Sequence, residues 1–341
     1  MDRALPMAIP DAPLGASNVG SEESLALAEH LARGSSDPEP MREAARIFAL
    51  EGRRGRAIDV LRQGILTHPR HADMLASLAD LLSRAGTFEE ADLYFQKALE
   101  SDPTNVEAWY LRALHHGRQG KAALAQASYE EAVRLKPGHV KAWVNLGLTR
   151  ADSGDRDGAV SALRRAVAAD PACAEAHSNL GALFAEEGLR EEALEEFRRA
   201  VELDPDCPES HFNLGWALLA EDELGQAEVT LLESVRLDPG NVDALYALAL
   251  LHQRTGAYAR AVAELKQAIG QKPDDARLHY YLGVAYNSQE AVDQAILALE
   301  TAARLMPDDA RIHRLLGVAF DKKELPARAR EAYRRAAALS G

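Results

Sequence analysis

Apolar residues recur along this chain at two nested spacings. In the stretch Val140–Cys173, Trp143, Leu146 and Gly147 stand three or one residues apart on one helical face. Ala159, Leu163 and Ala166 then repeat a step of three to four. Such steps predict two helices, each with one apolar face. Between them lies Gly154, at a turn of the kind that often needs a positive φ. The same pair of helices returns every 34 residues. Prolines mark the period at Pro69, Pro103, Pro137, Pro171, Pro205, Pro239, Pro273 and Pro307. Each ends a second helix, because proline lacks the backbone donor and disfavours helix in the residue before it.

Further series run in step with the prolines. Alanine occupies one place in every repeat, from Ala57 through Ala159 and Ala193 to Ala329. A second place is always small: Ala45, Ala79, Ala113, Gly147, Gly181, Gly215, Ala249, Gly283 and Gly317. A third is large and apolar: Leu61, Phe95, Tyr129, Leu163, Phe197, Leu231, Leu265, Leu299 and Tyr333. Small residues let the two helices of a repeat approach, and the large row fills the space beside that contact. Turn glycines stand at Gly52, Gly86, Gly120, Gly154, Gly188 and Gly256.

These series resemble the tetratricopeptide-repeat (TPR) consensus of a Trp, Leu-Gly, a run of Ala and aromatic places, and a closing Pro. The resemblance covers about residues 38–341, or nine repeats. It implies an all-α solenoid, a right-handed superhelix in which each repeat's first helix lines an inner groove. It also implies stability through stacking of neighbours, since one repeat cannot bury its apolar face alone. The first repeat diverges, with Met41 and Ala44 at the expected Trp and Leu places. Before it, Ser21–Arg33 is expected to be a short helix and Gly34–Pro40 a linker, while residues 1–20 are expected to be disordered.

Composition narrows the function. Aromatics are only 6% of a chain that is 47% hydrophobic, so the apolar mass is mostly Ala and Leu. A net charge of −14 opposes phosphate backbones, so no nucleic-acid partner is expected. No apolar run is long enough to span a bilayer and no signal-peptide core precedes the repeats, which points to a cytoplasmic protein without membrane insertion. Cys173 and Cys207 form neither a disulfide framework nor a cysteine-rich zinc site, and both are expected to stay free. No catalytic constellation is found, and neither a cofactor nor a metal is expected. Gly117–Lys121 is glycine-rich but too short for a phosphate loop and falls on a repeat turn. His177, His211, His279 and His313 take the consensus Trp place. One repeat apart or more, about 8–10 Å at least, they are too distant to share zinc and are expected to serve packing or surface roles, while Trp109 and Trp143, at the same place, are expected to be core.

The candidate site is a peptide-binding groove. Asn145, Asn179 and Asn213 hold one identical place in three consecutive first helices. Asparagine is a poor helix former, and its carboxamide both donates and accepts, which suits a peptide backbone. The row resembles the asparagine ladder of TPR grooves that hold extended peptides; the alternative is local hydrogen bonding. One place earlier stand Tyr110, Phe212, Tyr246 and Tyr280, with Trp216 a turn beyond Phe212. They are candidate contact anchors, or else pack against the neighbouring repeat. Lys141 with Asn145 fits part of the two-carboxylate clamp of some chaperone adaptors, but Glu175 and Glu209 follow where cations are needed. The expected function is a non-enzymatic scaffold or adaptor holding a protein or peptide. A self-assembling scaffold, and a module that recruits substrate to a separate catalytic chain, are the alternatives. Homo-oligomerisation is suggested by charge, with ten acids against three bases in residues 174–207 and three acids against eight bases in 310–341.

Overall fold

A computed structural model describes residues 22–34 and 37–340. Nineteen α-helices and no strand lie among them. A leading helix, α1 (Glu22–Gly34), is followed by nine pairs. These are α2 (Pro38–Leu50) with α3 (Arg54–Thr67), α4 (Ala72–Arg84) with α5 (Phe88–Ser101), and α6 (Val106–Arg118) with α7 (Ala122–Leu135). Next come α8 (Val140–Asp152) with α9 (Arg156–Ala169), α10 (Ala174–Glu186) with α11 (Arg190–Leu203), and α12 (Pro208–Ala220) with α13 (Leu224–Leu237). The last are α14 (Val242–Arg254) with α15 (Tyr258–Gln271), α16 (Ala276–Ser288) with α17 (Val292–Leu305), and α18 (Ala310–Lys322) with α19 (Pro326–Ser340). The fold is the all-α solenoid of paired helices that the resemblance implies. The described residues form two compact units, divided between Leu183 and Phe184.

Pro38–Pro40, expected as the end of a linker, is instead the first turn of α2. Asp37 caps it, its Oδ1 accepting from the Glu39 amide at 3.3 Å. Proline is well suited to a first helical turn, whose amides have no helical acceptor anyway. The expected tail of residues 1–20 lies outside the described residues.

One repeat shows how sequence makes the hairpin. α4 stops because Gly86 takes φ +83°. The Gly86 amide then reaches the Ser83 carbonyl at 3.1 Å and the Thr87 amide reaches Leu82 at 3.0 Å. This paired closure satisfies the orphan carbonyls at a helix end and turns the chain back. The second helix, α5, ends with the Asp102 amide on Ala98, and Pro103 prevents continuation. Asn105 then caps α6, accepting from the Ala108 amide at 2.8 Å.

The predicted small and large rows meet. A Cβ at Gly147 would lie 2.8 Å from Cγ of Leu163, and one at Gly283 would lie 2.5 Å from Cγ of Leu299. The large row is sealed, Leu61, Phe95, Leu163, Phe197, Leu231, Leu265 and Leu299 each being 0% exposed. Burying such a side chain contributes roughly 1.5–3 kcal/mol. Tyr333 on the final helix is half-buried, and its hydroxyl donates to Asp321 at 2.9 Å.

The residues at the consensus Trp place do more than pack. The ring N–H of Trp109 donates to the Pro103 carbonyl at 2.9 Å, and that of Trp143 to Pro137 at 2.8 Å. His177, His211, His279 and His313 put Nε2 against the carbonyls of Pro171, Pro205, Pro273 and Pro307 at 3.2, 2.9, 2.8 and 2.7 Å. In these six repeats the ring nitrogen ties the start of the first helix to the loop before it. Histidine replaces tryptophan because both offer a ring N–H at similar reach. Trp109 and Trp143 are half-buried rather than core.

Candidate functional site

In the first unit the candidate residues gather on α6, α8 and α10. Asn145 is 8% exposed, and its Nδ2 donates to the Tyr110 hydroxyl at 3.3 Å. Tyr110 is half-buried, its ring 5.0 Å from that of His139 and 6.0 Å from that of Tyr129. Burial, with Glu107 and Glu175 adding negative charge nearby, pushes its phenol up to about 12. Asn179 is also 8% exposed. Lys141 is exposed. It occupies the second place of its first helix, where Glu39, Asp73, Glu107 and Glu175 stand in the other repeats of this unit.

In the second unit Asn213 is half-buried and the aromatic residues form a chain of rings. Phe212 and Trp216 lie 6.2 Å apart, Trp216 stacks on Tyr246 at 6.4 Å, and Tyr246 meets Tyr281 edge-on at 5.1 Å. Tyr281 meets Tyr280 at 5.1 Å. Edge-on and offset contacts of this kind contribute beyond area alone. Phe212 and Tyr246 are each 8% exposed, so they form the floor of this row, while Trp216 and Tyr280 are half-open. Burial and the neighbouring Tyr281 raise the Tyr246 phenol. The Arg277 guanidinium lies 4.5 Å from the Tyr246 ring centre and Arg311 5.9 Å from that of Tyr280. Arg277 is held by Asp275 at 3.1 Å and Asp243 at 3.4 Å.

Tyr281 and the two arginines were not singled out from the sequence. Tyr281 interrupts the asparagine row and so reads as a departure from it. The arginines could have been found from the second place of the first helices, which changes within the second unit from Glu209 and Asp243 to Arg277 and Arg311.

Two groups of side chains could hold a cation. Asp92, His115 and His116 place one donor atom each within 4.8 Å of one another, as do Glu39, His71 and Asp73. Arg42 already occupies the second group, 3.3 Å from Glu39 and 3.0 Å from Asp73. Both cysteines are free, and burial raises both thiols. Among the described residues, no helix is long and apolar enough to cross a membrane.

Residues 139–341 match the family described as Cilia and flagella-associated protein 70 C-terminal domain. Residues 48–114 and 110–155 match two tetratricopeptide-repeat families. No curated protein matches the chain. Among solved structures, a chain of the APC/C hetero-tetramer Cut9–Hcn1 is similar at 16% identity and a TM-score of 0.59, over 88% of this chain and 60% of that one. A tetratricopeptide-repeat protein from Parabacteroides merdae is similar at 18% identity and a TM-score of 0.53, over 69% of this chain and 93% of that one. At these identities the likeness shows the fold alone. The repeat series, the paired helices and these matches agree: the chain is a tetratricopeptide-repeat protein, and it belongs, through residues 139–341, to the Cilia and flagella-associated protein 70 C-terminal domain family.

Proposed function

We propose that this protein is a non-enzymatic scaffold or adaptor that holds an extended peptide or a helix of a partner protein along its first helices. The observation that carries this reading is the ring chain of the second unit. Trp216 and Tyr280 offer half-open apolar faces, Tyr246 and Phe212 support them, and Arg277 and Arg311 stand beside them. Aromatic and arginine side chains in this arrangement are the residue types that dominate binding energy at protein interfaces. Asn145, Asn179 and Asn213 then supply donors and acceptors to a peptide backbone, with Lys141 and Tyr110 beside them.

The partner is first captured with the intact chain and identified by mass spectrometry; binding is then measured by calorimetry beside a melting curve for each variant. Replacing Asn145, Asn179 and Asn213 together by Ala is expected to weaken binding more than tenfold, at about 0.5–1.5 kcal/mol per lost bond. Thermal stability is spared or raised, since Ala is the better helix former. Trp143→Ala is expected to do the reverse, lowering stability by a few kcal/mol with no direct effect on binding. An unchanged affinity in the folded triple variant removes the asparagines from the site and leaves Trp216, Tyr246 and Tyr280.

A second reading is self-assembly, favoured by the acidic stretch 174–207 and by the exposed Arg330, Arg334 and Arg335 on α19. Light scattering across salt concentrations separates it, since assembly through these charges dissolves as salt rises.

A further inference from the structure

His116 is a buried histidine with nothing to bind. It is 4% exposed, and neither of its ring nitrogens has a hydrogen-bond partner. Burying a polar group in that state is costly, and such atoms are rare in folded proteins. The residues around it are ones that ligate metals. His115 is fully buried, its ring 5.4 Å from that of His116. Its Nε2 lies 3.1 Å from Oδ1 of Asp92 on the neighbouring helix α5. We propose that Asp92, His115 and His116 form a binding site for a borderline divalent transition ion, Zn²⁺ foremost.

The chemistry fits at each atom. Two imidazoles and one carboxylate, with a fourth position left open, are a donor set that such ions favour. The three donor atoms lie within 4.8 Å of one another. Bonds of about 2.0–2.2 Å to a tetrahedral ion hold donors about 3.3–3.6 Å apart, so closure takes an inward shift of up to about an ångström. Ser83 Oγ lies 2.9 Å from Nδ1 of His115 and orients that ring, as outer partners of metal-bound histidines commonly do. In the tautomer with Nδ1–H donating to Ser83, the Nε2 lone pair is free to take a cation shared with Asp92. The side-chain amide nitrogen of Gln119 also ends at that Nε2 and must turn away for an ion to bind there. Phe88 and Phe95, with ring centres 5.9 and 5.3 Å from His115, wall the inner side. The Asp92 side chain, 43% exposed, leaves a way in from solvent. Burial favours the neutral form of both histidines, which is the form that binds metal. Of the cations whose charge reaches these histidines, Arg112, Lys121 and Arg118, Arg118 is already held by Asp80 and Ser83 at 3.0 Å each.

Zn²⁺ and Co²⁺ titrations of the full, tag-free chain after chelator treatment test this. Zn²⁺ is followed by competition with a chromophoric chelator and Co²⁺ by its visible d–d absorption. The expected result is one ion per chain, with the Co²⁺ spectrum of a four-coordinate nitrogen–oxygen site. His116→Phe is expected to weaken binding at least tenfold. It should fold, because other repeats carry Phe48, Phe184 and Phe320 at the same place; circular dichroism checks this. Asp92→Asn, at a half-exposed position, is expected to weaken binding by a similar factor and keeps the test independent of His116→Phe folding. His252→Phe serves as the control and leaves the ion bound. The proposal is overturned if the wild-type chain binds no ion in competition with the chelator, if either site variant binds as tightly as wild type, or if binding follows His252.

Discussion

His116 in the first unit and His252 in the second occupy the same place in their repeats, near the end of the first helix. Both are buried, at 4% and 3% exposed. Around His252, Nδ1 lies 2.7 Å from a carboxylate oxygen of Glu264 and Nε2 lies 3.2 Å from Glu228. Around His116, Asp92 stands at the place of Glu228 and Ser128 at the place of Glu264. Asp92 reaches only as far as His115, and Ser128 turns its hydroxyl back to the Leu124 carbonyl at 2.8 Å. Shortening one acid by a methylene and replacing the other by serine therefore leaves the first histidine alone. The repeat backbone presents the same place in both units, buried at His116 and at His252. What a polar residue does there is decided by two side chains on the flanking second helices.

The largest expected effect comes from removing each histidine. His252→Phe strips two carboxylates of a buried partner and is expected to cost about 3 kcal/mol. His116→Phe, in metal-free protein, removes two unsatisfied nitrogens and is expected to add about 1 kcal/mol. Urea melts of both variants check this, and equal effects of the same sign would break the comparison.

The next effect is a pH dependence. Burial pushes His116 down to about 4. Its folded pKa lies below the unfolded value near 6.5, so the folded chain binds fewer protons than the unfolded one between these limits. Stability is therefore present above about pH 6.5 and falls as pH drops toward 4, by roughly 2–3 kcal/mol from this group. His116→Phe should flatten that part of the stability profile, measured by melts in the presence of chelator.

The smallest effect concerns the turns. In the first unit Gly52, Gly86, Gly120 and Gly154 take the positive φ between helices. In the second unit Gly188 and Gly256 do the same, but Asp222, Glu290 and Glu324 are forced to φ 65°, 60° and 60° at the equivalent places. A side chain there costs about 1–2 kcal/mol, partly offset by the extra freedom glycine gives the unfolded chain. Glu290→Gly and Glu324→Gly are each expected to add about 0.5–1 kcal/mol in thermal melts. Asp222→Gly should gain less, because it also breaks the contact of Asp222 with Arg254 at 2.5 Å.

Most of the fold was legible in the sequence because the features that set it are local and repeated. The step of three to four gives the helices, the turn glycines and prolines end them, and the small and large rows predict the contact seen between Gly147 and Leu163. Even at Asp222, Glu290 and Glu324 the period fixes the turn, although the residue type argues against it. The second-helix place of Phe197 and Leu231, and the first-helix place of the Asn row, follow from counting alone.

Which side chains meet was not legible, because it depends on pairs separated by about a repeat and on reach measured in single bonds. Asp92 with His115 and His116, or Glu228 and Glu264 with His252, has no spacing signature, since each group joins separate helices. Tyr281 looked like an interruption of the asparagine row until its ring was placed between Tyr246 and Tyr280. The ring bonds from Trp109 and His313 to proline carbonyls lie six residues apart and recur in six repeats, yet only coordinates show that the donor points at that oxygen. The sequence by itself determined the helices, their pairing and the buried rows, because hydrophobic period and turn chemistry act within one repeat. Only the tertiary structure decided which buried polar groups are satisfied, because a hydrogen bond is won or lost over less than an ångström across neighbouring helices.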